Sequence, residues 1–243
     1  MSVAGRTGLA PGDGAAVARG IAPDPSARRP RFAVVDYGAG NLVSIDQALG
    51  RVGADVTIAR DPAGLSGADA LLVPGVGAAA PAMERLASAG LVDAIRAWIA
   101  AGHPYVGVCL GLQLLFDGSD EDGAETFGII AGRTTRLIDA PTLPHIGWNQ
   151  VERSREHPLF AGIVPAADFY FVHSYAGTPA TADAGAVLAT TTHGAPFVSA
   201  IARDHVLGVQ FHPERSGADG LRLLENVVRL VRSRALTGTA ALA

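Results

Sequence analysis

From position 31 the chain carries two apolar rhythms in turn. Phe32-Ala33-Val34-Val35-Asp36 is a short unbroken apolar run closed by a charge, the mark of a strand buried on both faces. Tyr37-Gly38-Ala39-Gly40 reads as a tight turn, and Asn41 caps a helix in which Leu42, Ile45, Ala48 and Leu49 recur at helical spacing. Residues 55–59 and 70–73 read as the second and third strands, the third stopped by Pro74-Gly75. Helical periods follow over 80–87 and 91–101, and a fourth strand at 105–108 runs into Cys109. Strands alternating with helices predict a parallel sheet covered on both faces.

After Phe127 the texture changes. Segments at 128–138, 146–152, 169–173, 186–190, 197–203 and 206–211 read as short strands with few helices between them, so some pair antiparallel. Residues 220–234 form an amphipathic helix with Leu221, Leu224, Val227, Val228 and Val231 on its apolar face. The expected class is α/β: an open, mostly parallel central sheet with helices on both faces and some antiparallel strands in the C-terminal half. Residues 1–30, rich in Ala, Gly, Pro, Asp and Arg without a period, read as a disordered N-terminal extension. The domain spans 31–236, and 237–243 is a frayed tail.

Composition narrows the classes. With 243 residues, 49% of them hydrophobic, the chain can bury one sizeable core. All 19 basic residues are arginine, the net charge is −4, and no basic run is interleaved with aromatics, which argues against nucleic-acid binding. No apolar run approaches the roughly 20 residues that span a bilayer, and residues 1–30 lack the apolar segment of a secretory signal. One cysteine makes no internal disulfide, which suits a reducing cytoplasm. With no His-x-x-x-His and no second cysteine, the histidines do not resemble a metal set, and acyl transfer by a thiol requires neither a metal nor an organic cofactor.

Three loops at the carboxyl ends of strands hold the candidate chemistry, at the edge where open α/β sheets bind ligands. In Gly107-Val108-Cys109-Leu110-Gly111-Leu112-Gln113 a strand turns sharply into a helix with the thiol at the bend. Such an elbow presents a nucleophile beside free backbone N–H groups, and the N–H of Leu110 is placed to meet an oxyanion. In Gln210-Phe211-His212-Pro213-Glu214, His212 and Glu214 are two residues apart. In an extended segment they share a side, so the carboxylate orients the imidazole as base for the thiol. Pro74-Gly75-Val76-Gly77 can offer a second oxyanion donor, from Val76 or Gly77. Together these parts suit acyl transfer from an amide.

The two reactive segments resemble those of the class I glutamine amidotransferases. Asp36-Tyr37-Gly38-Ala39-Gly40-Asn41-Leu42, Pro144-His145-Ile146-Gly147-Trp148-Asn149, Tyr170-Phe171-Val172-His173-Ser174-Tyr175 and Gln210-Phe211-His212-Pro213-Glu214-Arg215-Ser216-Gly217 narrow the resemblance to the glutaminase subunits of imidazole glycerol phosphate synthase. The resemblance runs from about Phe32 to Arg234. It implies hydrolysis of glutamine and delivery of ammonia to a (β/α)8-barrel cyclase in histidine biosynthesis. It further implies a triad of Cys109, His212 and Glu214, oxyanion donors at Val76 and Leu110, and substrate contacts from Gly77, Gln113, His173 and Ser174. It places Asn41, Trp148, Tyr170 and Arg215 against the cyclase. Ala78-Ala79-Ala80 departs from the family, which often has an aromatic residue there. Other readings of the scaffold are a glutaminase subunit of another amidotransferase, a cysteine amidase or peptidase, and a subunit that keeps the fold without turnover.

Overall fold

The computed structural model describes residues 28–237. Its first half repeats strand and helix: β1 (Arg31–Val35), α1 (Leu42–Arg51), β2 (Asp55–Ala59), β3 (Ala70–Val73), α2 (Ala79–Ser88), α3 (Leu91–Ala100) and β4 (Tyr105–Val108), then the four-residue α4 (Leu110–Gln113). The second half is strand-rich: β5 (Gly118–Ser119), β6 (Gly132–Arg136), β7 (His145–Arg153), β8 (Ala167–His173), β9 (Tyr175–Pro179), β10 (Val187–His193), β11 (Ala195–Arg203) and β12 (Val206–Val209). A long α5 (Gly217–Thr237) closes it. Asn41 caps α1 as expected, its side chain accepting the N–H of Ser44.

Nine strands form the main sheet in the order β2-β1-β3-β4-β12-β11-β10-β7-β8. From β2 to β12 the pairs are parallel, and from β12 to β8 they are antiparallel. A second sheet, β5-β6-β9, stands beside it. Period-two alternation divides the strand side chains between two cores. Phe32, Val34, Leu72, Val108 and Val209 pack toward α1 and α5. Ala33, Val35, Leu71, Val73 and Tyr105 pack toward α2 and α3. Both faces are covered, which explains the unbroken apolar runs.

Four elements depart from the expectation. Strand β12 stops at Val209, two residues early. The segment at 128–138 keeps only Gly132–Arg136 as strand. Strands β5 and β9 have no clear apolar pattern. In β9 a Cβ on Gly177 would lie 2.0 Å from the Phe116 ring, so packing demands the glycine.

Of the expected N-terminal extension, 28–30 fall among the described residues, and they are tied to the domain. Arg28 pairs with Asp69, Arg29 with Asp55, and the Asp55 N–H donates to the Pro30 carbonyl. Residues 1–27 and 238–243 lie outside the described residues. Among the described residues no helix is long and apolar enough to cross a bilayer.

Candidate active site

Two neighbouring parallel strands bring the reactive segments together. β4 and β12 pair in register, Val108 opposite Val209, so the residues after each emerge side by side. The Cys109 N–H donates to the Val209 carbonyl at 2.8 Å. Cys109 then turns with φ 53° and ψ −107°, a conformation L-residues rarely adopt, and this strain is the elbow the sequence predicts. The bend presses α4 against β3. A Cβ on Gly111 would lie 1.8 Å from the Val73 carbonyl oxygen, so only glycine fits.

His212 is extended, at φ −101° and ψ 95°. Pro213–Arg215 then forms a 3₁₀ turn, so turn geometry rather than strand alternation carries the Glu214 carboxylate back to His212. Glu214 Oε1 lies 2.8 Å from His212 Nδ1, and both side chains are buried. The His212 backbone is anchored through its N–H to the Tyr170 carbonyl at 2.9 Å and through its carbonyl to Ser216 Oγ at 2.6 Å. Its Nε2 makes no hydrogen bond of ordinary geometry and interacts with the Cys109 sulfur. Burial lowers the pKa of His212. The Cys109 sulfur and the Glu214 carboxylate outweigh it and push the ring up to about 10.

A cleft of about 200 Å³ opens over the sulfur, lined by Cys109, Gly77, Gln113, His173 and Ser174. Thus the four residues expected to touch substrate share one pocket with the candidate nucleophile. Gln113 Nε2 donates to the Tyr175 carbonyl at 2.8 Å and to Gln210 Oε1 at 3.1 Å, which leaves its Oε1 as an acceptor for a ligand. Glu121 also lines the cleft, its carboxyl pKa raised by burial and by neighbouring Asp122. Sequence reasoning misses it, because Ser119-Asp120-Glu121-Asp122-Gly123 looks like any polar turn.

The oxyanion donors stand differently. The Leu110 N–H is directed at the Gly75 carbonyl, 3.4 Å away, so that carbonyl lies where a developing oxyanion would approach. Val76 is half exposed beside the cleft. Both ends of this loop are anchored: Tyr37 Oη donates to the Pro74 carbonyl at 2.9 Å, and the Ala80 N–H donates to Asp122 at 2.6 Å.

A family model described as glutamine amidotransferase class-I matches residues 33–230. The chain belongs to the class-I glutamine amidotransferases. It is 47% identical over 205 residues to the imidazole glycerol phosphate synthase subunit HisH of Symbiobacterium thermophilum, covering 83% of this chain and 94% of that one. It is 48% identical over 203 residues to the same subunit of Chloroflexus aurantiacus, covering 82% and 95%. The solved structure of PurLQS from Thermotoga maritima superposes with a TM-score of 0.64 at 15% identity, covering 84% of this chain and 100% of that one. That likeness concerns the fold alone.

In this amidotransferase the four residues expected at a partner interface are contiguous. Arg215 lies over the Tyr170 ring, 4.1 Å from its centroid, and Trp148, 57% exposed, meets Tyr170 edge-on at 6.2 Å. Asn41 joins Arg215 around a second, smaller cavity of about 70 Å³, which reaches His212, Glu214 and Gly75 and is not lined by Gln113. Val76 and Val172 line both cavities. Among the described residues, no three His, Cys, Asp or Glu side chains are placed to share a metal ion.

Behind the cleft the amidotransferase holds a proton-counting chain. His173 Nδ1 donates to the Tyr175 carbonyl at 2.9 Å, so its Nε2 accepts from His145 Nδ1 at 3.3 Å. His145 Nε2 accepts from Asn149 Nδ2 at 3.1 Å, and Asn149 Nδ2 also donates to the Thr192 carbonyl at 2.9 Å. Every contact is satisfied only when both rings are neutral. Burial, then the nearby His193, pushes His145 down to about 4. Burial pushes His173 down to about 3, with His145, His193 and His212 adding to it against the pull of the Tyr175 carbonyl.

Both folded-state values lie below that of an unfolded histidine. The unfolded chain therefore binds more protons below about pH 6.5, and stability falls as pH drops from there toward 4. With partial solvent screening at His145 allowed for, the expected loss between pH 7 and 4.5 is on the order of 4 kcal/mol. Urea unfolding at the two pH values measures it. A His145→Asn, His173→Asn double variant should show a much shallower pH dependence, and parallel curves would refute the assignment.

Proposed function

We propose that this chain is the glutaminase subunit of an imidazole glycerol phosphate synthase, and that Cys109, His212 and Glu214 carry out the hydrolysis. The Cys109 sulfur attacks the side-chain amide of glutamine, and His212 protonates the departing ammonia. Water, deprotonated by His212, then cleaves the glutamyl thioester. Glu214 keeps the proton of His212 on Nδ1 and stabilises the imidazolium. Gln113 and Glu121 face the α-ammonium of the substrate, while Gly77, His173 and Ser174 line the rest of its path. Backbone N–H groups of Leu110 and Val76 receive the oxyanion once the Gly75 carbonyl has turned away. No metal or organic cofactor takes part.

Ammonia leaves through the smaller cavity, past Val76 and Val172, toward the face bearing Asn41, Trp148, Tyr170 and Arg215. There a cyclase subunit of (β/α)8-barrel form docks and consumes it in histidine biosynthesis. The single reduced thiol fits a cytoplasmic enzyme. The observation that carries the proposal is the 2.8 Å contact between Glu214 and the buried His212 Nδ1, just beyond the strand that pairs with the one leading into Cys109 at the Gln113 cleft.

A chloroketone analogue of glutamine tests it. The analogue should label Cys109 one to one, and no peptide should be cleaved. Glu121→Gln should slow labelling about tenfold at low analogue concentration, the usual effect of losing one charged hydrogen bond. Labelling by iodoacetamide, which has no amino-acid moiety, should not change. Peptide cleavage without labelling by the analogue would favour a peptidase instead.

A further inference from the structure

Two buried amides stand behind the nucleophile, and one backbone carbonyl dictates their polarity. Gln210, just beyond β12, is fully buried. Its Nε2 lies 3.6 Å from Cys109 Sγ, and its Oε1 lies 3.1 Å from Gln113 Nε2. A side-chain amide can be turned end for end without changing its outline, so its partners must decide which end faces the sulfur. The Tyr175 carbonyl can only accept, so the Gln113 atom 2.8 Å away is nitrogen. That nitrogen holds one further hydrogen, which points at Gln210, so the facing Gln210 atom is oxygen. The nitrogen of Gln210 is then left at the sulfur. Turning either amide over would set two donors or two acceptors against each other between buried side chains. Tyr175 itself is held opposite Arg136 by the pairing of β9 with β6, so the starting carbonyl does not move freely.

We propose that Gln210 is a further catalytic residue of this site: its Nε2–H donates to the Cys109 sulfur and stabilises the sulfur as thiolate. The role rests on the reading of Cys109 as nucleophile. In acylation the sulfur electron pair forms the S–C bond and the carbonyl π pair moves to oxygen; that pair then returns to re-form C=O as the C–N pair leaves with nitrogen, which takes the proton of His212. In deacylation water adds to the thioester carbon, its proton passes to His212, and the C–S pair returns to sulfur. Sulfur is a strong acceptor before the first step and again as C–S breaks, but a weak one in the thioester. The Gln210 donor therefore favours the resting thiolate and the second half-reaction. It acts beside His212, and it keeps the sulfur charged without consuming a proton.

Because the chain has one cysteine, alkylation reads this site alone. The rate of iodoacetamide labelling is measured against pH in the full chain, in Gln210→Met, which keeps length and removes the donor, and in Gln210→Glu, which sets a carboxylate beside the sulfur. The midpoint of the profile should rise by about one pH unit in Gln210→Met, the equivalent of about a tenfold loss of thiolate, and by more in Gln210→Glu. During turnover, intact-mass spectra of Gln210→Met should show accumulated glutamyl thioester. Profiles that superpose on the wild type would overturn the role, even if turnover fell, since a packing defect alone does not move the midpoint. If neither variant folds, proton–nitrogen spectra of the wild type decide: the Gln210 side-chain amide proton should move downfield as Cys109 ionises, and an unmoved resonance would overturn it. A wild type labelled by the chloroketone with unshifted variant profiles removes only the Gln210 role. Failure of chloroketone labelling removes the glutaminase reading itself.

Discussion

Cys109→Ala should abolish glutamine hydrolysis, by about 10⁴-fold or more, while the assembled two-subunit enzyme keeps its ammonia-dependent synthesis. The change is local. Cys109 is 5% exposed, just beyond β4, and removal of its sulfur takes away a single atom from a site held by backbone bonds. The Cys109 N–H still donates to the Val209 carbonyl, and Gly111 still packs on Val73. An alanine keeps the same backbone strain, so the elbow and the face around Trp148, Tyr170 and Arg215 should persist. Cys109 is the one thiol among the residues lining the cleft, so no equivalent nucleophile remains for His212 to deprotonate. On the proposed function, free ammonia would bypass the missing step by entering at the cyclase. Side-by-side assays with glutamine and with ammonium salts check this. Loss of both activities would place Cys109 in the fold or the interface instead of the chemistry.

The second large effect concerns the loop over the sulfur. Glutaminase turnover of the chain alone should be about 10²–10³ lower than in the complex with cyclase and its ligand. The Gly75 carbonyl, 3.4 Å from the Leu110 N–H, would confront a developing negative charge with another oxygen. Removing one oxyanion donor typically costs that factor, and here a donor is already engaged. Rotation of the Gly75–Val76 peptide would withdraw the carbonyl and present the Val76 N–H. Tyr37 anchors the loop at Pro74 and Asp122 anchors it at Ala80, so the change is confined to the few residues between. Those residues adjoin the cavity shared by Asn41 and Arg215, so a partner pressing on that face can bias the peptide. Turnover is measured for the chain alone, with cyclase, and with cyclase plus its ligand. Equal rates in all three would defeat the coupling.

Much of the site was legible because its parts are local. A nucleophile elbow needs glycine, cysteine and glycine at fixed steps, and His-Pro-Glu carries its own orienting carboxylate two residues away. Both features stand in the structure, although a 3₁₀ turn, not strand alternation, makes the His212–Glu214 contact. The first four strands were equally plain, since burial on both faces forces unbroken apolar runs. The small strands β5 and β9 were not. Their residues are chosen by what packs on them, as Gly177 is by the Phe116 ring, and no period records that. Glu121 escaped notice for the same reason. A carboxylate in a polar turn acquires meaning only when the turn folds over the cleft.

The sequence alone determined the periodic elements, the chemical identity of the thiol, imidazole and carboxylate, and the family to which the chain belongs. Those follow from short-range rules: alternation, capping, and the spacing of a few reactive groups. Tertiary structure decided that β12 inserts beside β4, which sets residue 109 against residue 212. It also decided that the Gly75 carbonyl meets the Leu110 N–H, and that one carbonyl at Tyr175 turns the Gln113 and Gln210 amides so that an N–H faces the sulfur. These are contacts between segments tens of residues apart, and their geometry is set by packing of the whole sheet, which no local pattern encodes.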